Sequence, residues 1–128
     1  MRRLPVRQGL DARLLTDEKV NALKNVKYKF LHFAWDNAAD TVTPEILRKY
    51  SDTWGLRQER KKVYVLTNYN STHRQDLYRI YTLRDIGYDP YVMIFNKIHA
   101  PKETRHLQRW CNNKVIFNAE PCFWNYKP

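Results

Sequence analysis

Along this chain the spacing of apolar residues switches repeatedly between a period of two and a period near 3.6, with short polar corners between. The clearest passage covers residues 63–96. Val63, Tyr64, Val65 and Leu66 form a short run of β-formers, which Thr67-Asn68-Tyr69-Asn70-Ser71 breaks. Thr72 then stands three residues before Gln75, the capping-box spacing in which each side chain satisfies an orphan backbone N–H at a helix start. Leu77, Ile80, Tyr81 and Leu83 give the helix its apolar stripe, Gly87 is a C-terminal stop, and 91–95 is a second strand. Strand, helix and strand in this order predict a βαβ unit, hence a parallel pair with a right-handed crossover. Parallel α/β sheets bind ligands at the carboxyl ends of their strands, so the polar corner at 67–71 is a place to look for function.

The same grammar extends in both directions. Residues 4–8 read as a strand, with Pro5 confined to its start or to an edge. Gly9 and Asp11 begin a corner, and Thr16 caps a helix with Asp17 and Glu18 in its first turn and Val20, Leu23 and Val26 along its stripe. A strand over 28–35 places Phe30, His32 and Ala34 on one parity and Leu31, Phe33 and Trp35 on the other. Both sets are mostly apolar, as for a parallel strand covered on both sides. Thr43-Pro44-Glu45 predicts a helix with Thr43 as N-cap, Ile46, Leu47, Tyr50 and Trp54 inward, and Gly55 as its stop. A helix from 101 to about 111, a short strand at 115–117 and an irregular tail over 118–128 complete the pass. The tail is expected to wrap the surface or fray. Trp54, Tyr78, Tyr81 and Trp110 fall at helical spacing and are expected in the core or at an interface.

These elements predict one α/β unit over 4–117, with about four to five strands alternating with four helices. Successive right-handed crossovers between neighbouring strands put every helix on one face of the sheet. The other face is then bare unless the sheet closes, and four or five strands are too few to close a barrel. The expectation is a partial parallel (β/α) barrel, an arc whose inner face needs a partner.

Charge adds one alternative. Lys and Arg number 23 against 13 Asp and Glu, a net charge of +10, and 14% of residues are aromatic. The cations are scattered rather than interleaved with aromatics, which favours solvated helix faces. A phosphate-binding face or a small basic nucleic-acid module stays open beside that reading. Cys111 and Cys122 match no metal-ligand spacing and read as reduced, inert thiols. No apolar run approaches the roughly 20 residues of a membrane span. Residues 1–5 lack the apolar core of a signal peptide, so a cytoplasmic location is the default expectation.

The strand-end corners hold Gln8, Gly9 and Asp11; Asp36 and Asn37; Thr67, Asn68 and Asn70; and Asn96, Lys97 and His99. Their amides and carboxylates suit ribose hydroxyls, an adenine edge or an amino-acid moiety. No serine or cysteine pairs with His32, His73, His99 or His106 as a nucleophile, and with three glycines there is no Gly-rich phosphate loop. Plainer roles compete at each position. Gln8, Asp11, Asp36, Asn37, Asn68 and Asn70 are also ordinary turn residues, His32 reads as a satisfied core histidine, and Lys97 and His99 as loop residues.

Several strings together resemble radical S-adenosylmethionine proteins: QGLDARLLT at 8–16, HFAWD at 32–36, YVLTN at 64–68, LYRIYTLRD at 77–85, GYDPYVMI at 87–94 and RWCNN at 109–113. The resemblance runs over about 8–117 and is to the C-terminal half of such proteins. It implies a partial (β/α)₆ barrel whose strand ends hold S-adenosylmethionine, with Gln8, Asp11, Arg13, Asp36 and Asn68 on the cofactor side. The family's CxxxCxxC, whose thiolates hold a 4Fe-4S cluster, is absent from this sequence. A truncated or split product is therefore expected, catalytically inert alone and needing an N-terminal half to supply the cluster. That half, or a second copy of the chain in a structural homodimer, is the expected cover for the bare face.

Overall fold

Three strands, β1 (Leu31–Ala34), β2 (Lys61–Thr67) and β3 (Asp89–Ile94), form an open parallel sheet in the order β1-β2-β3. They belong to a computed structural model that describes residues 10–25 and 30–128. The predicted strand at 4–8 lies outside the described residues, as do Gln8 and Val26. Leu10 makes an isolated parallel bridge to Phe33, its N–H donating to the His32 carbonyl at 2.6 Å.

Alternating with the strands are α1 (Asp17–Lys24), α2 (Val42–Tyr50) and α3 (His73–Asp85), followed by α4 (Lys102–Asn112) and α5 (Lys114–Ala119). The Thr72/Gln75 capping box is formed in full, and Thr16 Oγ1 accepts from the Lys19 N–H at 3.2 Å. Leu31, Phe33, Val63, Val65 and Val92 are each no more than 1% exposed and share one parity of the pleat. Leu47 and Tyr50 of α2 and Leu83 of α3 pack on the β1–β2 part, and Leu77, Ile80, Leu107 and Trp110 pack on Val92. Each such side chain contributes roughly 1.5–3 kcal/mol by leaving water.

The other parity is only partly covered by the described residues, with His32, Ala34, Lys62, Tyr64 and Tyr91 half-buried. His32 and Ala34 lie beside Lys62 and Tyr64, which lie beside Asp89 and Tyr91 in turn. Phe30 and Met93 are 44% and 45% exposed. The expectation of cover on both faces of the 28–35 strand is thus corrected, and so is His32 as a core residue. Its ring is half-buried on the open face, with Nδ1 3.2 Å from Tyr64 Oη. Tyr78 is also outside the core at 53% exposed, its ring set edge-on to Trp35.

Two further expectations are overturned. Helix α2 starts before Thr43: Thr41 is its N-cap residue, and Asp40, one residue earlier, supplies the side-chain acceptor for the Val42 and Thr43 N–H groups at 3.0 and 3.1 Å. Residues 115–117 are helical, not a strand. Asn113 Oδ1 accepts from Val115 N and Ile116 N, which starts α5 and turns Phe117 onto Trp110 at 4.7 Å between ring centroids. The β3 edge that such a strand would join is occupied by Asn112, whose amide accepts from Val92 N at 2.7 Å and donates to Val92 O at 3.0 Å. The described residues therefore hold three strands rather than four or five. The tail is anchored: Phe123 is 8% exposed, and its N–H donates to Tyr81 Oη at 2.9 Å.

Candidate functional site

At the carboxyl end of β1 a cavity of about 260 Å³ is lined by Asp11, Arg13, Asp36, Asn37, Asp40 and Thr43, together with Leu10 and Ala34. The Leu10–Phe33 bridge brings the first corner beside the second. Asp11 caps the 3₁₀ turn Ala12–Leu14 by accepting from Arg13 N at 3.0 Å. The Arg13 guanidinium returns over it as a fork, Nε to Oδ1 at 3.0 Å and one terminal nitrogen to Oδ2 at 2.9 Å. That hydrogen-bonded cation holds the Asp11 carboxyl below its ordinary range and raises Arg13 in turn.

Across the cavity, Asn37 Oδ1 accepts from Ala39 N at 2.9 Å in an Asx turn, and Trp35 Nε1 donates to the Asp40 carbonyl at 3.0 Å. Burial works against ionising Asp40, but hydrogen bonds from the Thr43 hydroxyl and from the Thr43 and Val42 N–H groups outweigh it and lower its pKa. Asp36 is exposed and makes no hydrogen bond among the described residues. The cavity thus holds one carboxylate closed by a guanidinium, one spent on a helix cap, and one open to a ligand's donors.

Beneath this rim lies a buried cation. Arg79 of α3, 0% exposed, donates to the carbonyls of Trp35 at 2.7 Å and Leu66 at 2.8 Å, and to Asp76 Oδ1 at 2.7 Å. It ties the ends of β1 and β2 to one helix, while Ser71 Oγ donates to the same Asp76 oxygen at 2.6 Å. Desolvation pulls the Arg79 pKa down, with the Asp76 carboxylate opposing.

Of the residues expected at the site, Asp11, Arg13 and Asp36 share this cavity. Asn68 does not: its Nδ2 donates to the Phe95 carbonyl at 3.2 Å, one corner further along. Asn68, Asn70 and Asn96 all take positive φ, at 59°, 53° and 51°. Asparagine tolerates this left-handed region better than most residues, which supplies a conformational reason for its use at these corners. Lys97 and His99 form an exposed 3₁₀ turn. Arg79, Asp40 and Thr43 were given no site role by sequence reasoning. A signal for Arg79 was present, since Asp76, Arg79, Ile80 and Leu83 fall at i, i+3, i+4 and i+7, placing a charged pair within an apolar stripe.

Compared with family models, curated proteins and solved structures, the chain gives no match. Among the described residues no cluster of His, Cys, Asp and Glu has the grouping of a metal site, and no helix is long and apolar enough to cross a membrane.

Proposed function

We propose that this chain is the carboxyl-terminal arc of a radical S-adenosylmethionine-type partial barrel, whose rim cavity receives the nucleoside or amino-acid end of such a ligand. The observation that carries this reading is the meeting of Asp11, Arg13 and Asp36 around one cavity at the carboxyl ends of parallel strands. The consecutive strand order and the only partly covered second face are consistent with an arc.

The chemistry of the rim is selective. Asp36 offers acceptors for a ribose diol or an ammonium group, while Arg13 meets a ligand carboxylate only by exchanging Asp11 for it. The cavity's 260 Å³ lies just below the roughly 300 Å³ at which pockets for whole drug-sized ligands begin, so it accommodates one end of the ligand. A 4Fe-4S cluster of the family type needs three thiolates, and this chain has two cysteines. One of them, Cys111, is 0% exposed, donates to the Pro90 carbonyl at 3.3 Å, and has its pKa pushed up to about 12 by burial. The donor set does not fit a cluster. The reading therefore places radical initiation on a separate N-terminal half and leaves this chain a binding role.

Calorimetric titration of the full chain with S-adenosylmethionine tests it. Saturable binding is expected, about tenfold weaker in Asp36→Asn, the equivalent of roughly 1.4 kcal/mol. No binding at millimolar ligand, or binding indifferent to Asp36→Asn and Arg13→Ala, overturns the proposal. So does deoxyadenosine formation by the chain alone after iron–sulfide reconstitution.

A further inference from the structure

The open sheet face carries a row of rings. The His32 and Tyr64 ring centroids are 5.5 Å apart, Tyr64 and Tyr91 are 5.8 Å apart, and Phe30 lies 6.3 Å from His32. Interplanar angles of 71° and 87° along His32–Tyr64–Tyr91 set these rings edge to face, so each contact takes up one face of one ring and leaves the faces of its partner free of that contact. Cations lie over two rings of the row, the Arg60 guanidinium 5.4 Å from the Phe30 centroid and Lys62 Nζ 5.1 Å from that of Tyr91, so a base stacking on Tyr91 takes its other face or displaces Lys62.

Tyr91 also lines a groove of about 780 Å³ beside α4, whose walls include Lys97, Arg105, Arg109 and Lys114 and whose polar remainder is amide. Lys114 is engaged by Asp89 at 2.7 Å. Lys97, Arg105 and Arg109 are exposed and form no ion pair among the described residues, and no carboxylate lines the groove. Three like charges held together without a counter-charge, on a chain of net charge +10, call for a polyanion. Because the groove and the ring row share Tyr91, a single strand can lay its backbone along one and its bases on the other.

From this juxtaposition we infer that the open face and the α4 groove bind single-stranded nucleic acid, phosphates on Lys97, Arg105 and Arg109 and bases stacked on Tyr91 and its neighbours. Aromatic side chains on an open sheet offer a stacking surface to any unpaired base, whereas a duplex hides its base faces. Tyrosine hydroxyls and lysines along the row make this a wetter face than an aliphatic dimer seam. The inference uses neither Asp11, Arg13 nor Asp36, although it assigns to nucleic acid the sheet face that the arc reading leaves to a complementing half.

Fluorescence anisotropy of the full chain with labelled oligothymidylate of about 12 nucleotides and with a blunt duplex of equal length tests it. Tighter binding to the single strand is expected, with log K falling against log salt at a slope of roughly −2, from about −0.7 for each of three phosphates. Arg105→Gln/Arg109→Gln should flatten that slope by about 1.4. Tyr91→Leu should weaken binding by at least about fivefold, the low end of base–aromatic stacking, while Tyr91→Phe, which keeps the ring, should bind like the parent. Circular dichroism melts confirm that each variant is folded. Equal affinity for duplex, a Tyr91→Leu variant that binds like the parent, or no salt-dependent binding overturns the inference. So does a stable homodimer in light scattering that Tyr91→Glu dissociates, because a second copy then occupies the face. Arg13→Ala should leave oligonucleotide binding unchanged, so failure of the rim proposal reads out separately.

Discussion

Replacing Arg79 with methionine removes the buried cation beneath the rim while keeping much of the side chain's apolar volume. Three bonds of 2.7–2.8 Å are lost, to the Trp35 and Leu66 carbonyls and to Asp76, which is itself 1% exposed. Deleting one partner of a buried ion pair costs about 3–5 kcal/mol, because the remaining charge is left uncompensated. Each orphaned carbonyl carries a further penalty of about 1–3 kcal/mol, but all three belong to one network, so the penalties do not add in full. The upper end of the ion-pair range, about 5 kcal/mol, is the reasoned magnitude. A domain is typically stable by about 5–15 kcal/mol, so this one change removes at least a third of that. In urea unfolding followed by circular dichroism, an m-value of about 2 kcal/mol/M converts it to a midpoint lowered by roughly 2.5 M. Removing the stranded charge as well, in Arg79→Met/Asp76→Leu, should recover about 2 kcal/mol. A single variant whose midpoint lies within about 0.5 M of the parent, or a double variant no more stable than the single, refutes the reasoning.

Gly87 has φ +94°, and a Cβ there would stand 2.8 Å from Ser51 Oγ, whereas Gly55, at φ +65°, has nothing within 4 Å. Both alanine variants bear the left-handed penalty of about 1–2 kcal/mol, and Gly87→Ala should lose more because Ser51 Oγ is held by the Ile86 carbonyl at 2.5 Å. Equal losses in chemical denaturation contradict this. Asp40 has a depressed pKa in the fold, so its contribution is full above the unfolded carboxylate value of about 3.9 and is lost as pH falls through the lowered folded value. Asp40→Asn should therefore melt below the parent at neutral pH, with the gap closing as pH falls through the lowered folded value; a gap that stays constant with pH speaks against the cap. Cys111 is fully buried and Cys122 only partly, so a thiol reagent should titrate one cysteine in the native protein and two after urea. Two fast native equivalents would show that Cys111 is reachable.

The sheet's parallel sense, the Thr72/Gln75 box and the inward stripe of α3 were legible because local spacing and burial agree there. The start of α2 was misread because Thr43-Pro44 carries a helix-start signature, while the capping side chain comes from Asp40, upstream of that pair. Val115 through Phe117 has the composition of a strand, yet the Asn113 cap and the occupied edge of β3 overrule it. At the site, Asp11 and Asp36 could be gathered from the alternation, since parallel strands bring their following corners to one rim, whereas Arg13 entered only through the family resemblance. Asn68 belonged to the next corner and answered to backbone conformation. The network on Arg79 joins positions 44 and 13 residues apart in the chain, a pairing that no local period encodes.

The amide of Asn112 gives the sheet a direction of growth. By binding both outward-facing groups of Val92, it finishes one side of the molecule, and Gln108 Nε2 adds a second donor to the same carbonyl at 3.3 Å. The β1 side, where Leu10 bridges to Phe33, is where the parallel ladder continues. On the proposed arc reading, a complementing half joins on this β1 side, which would place its own strand ends near Asp11. An occupied β3 edge is one device by which a sheet avoids adding further chains.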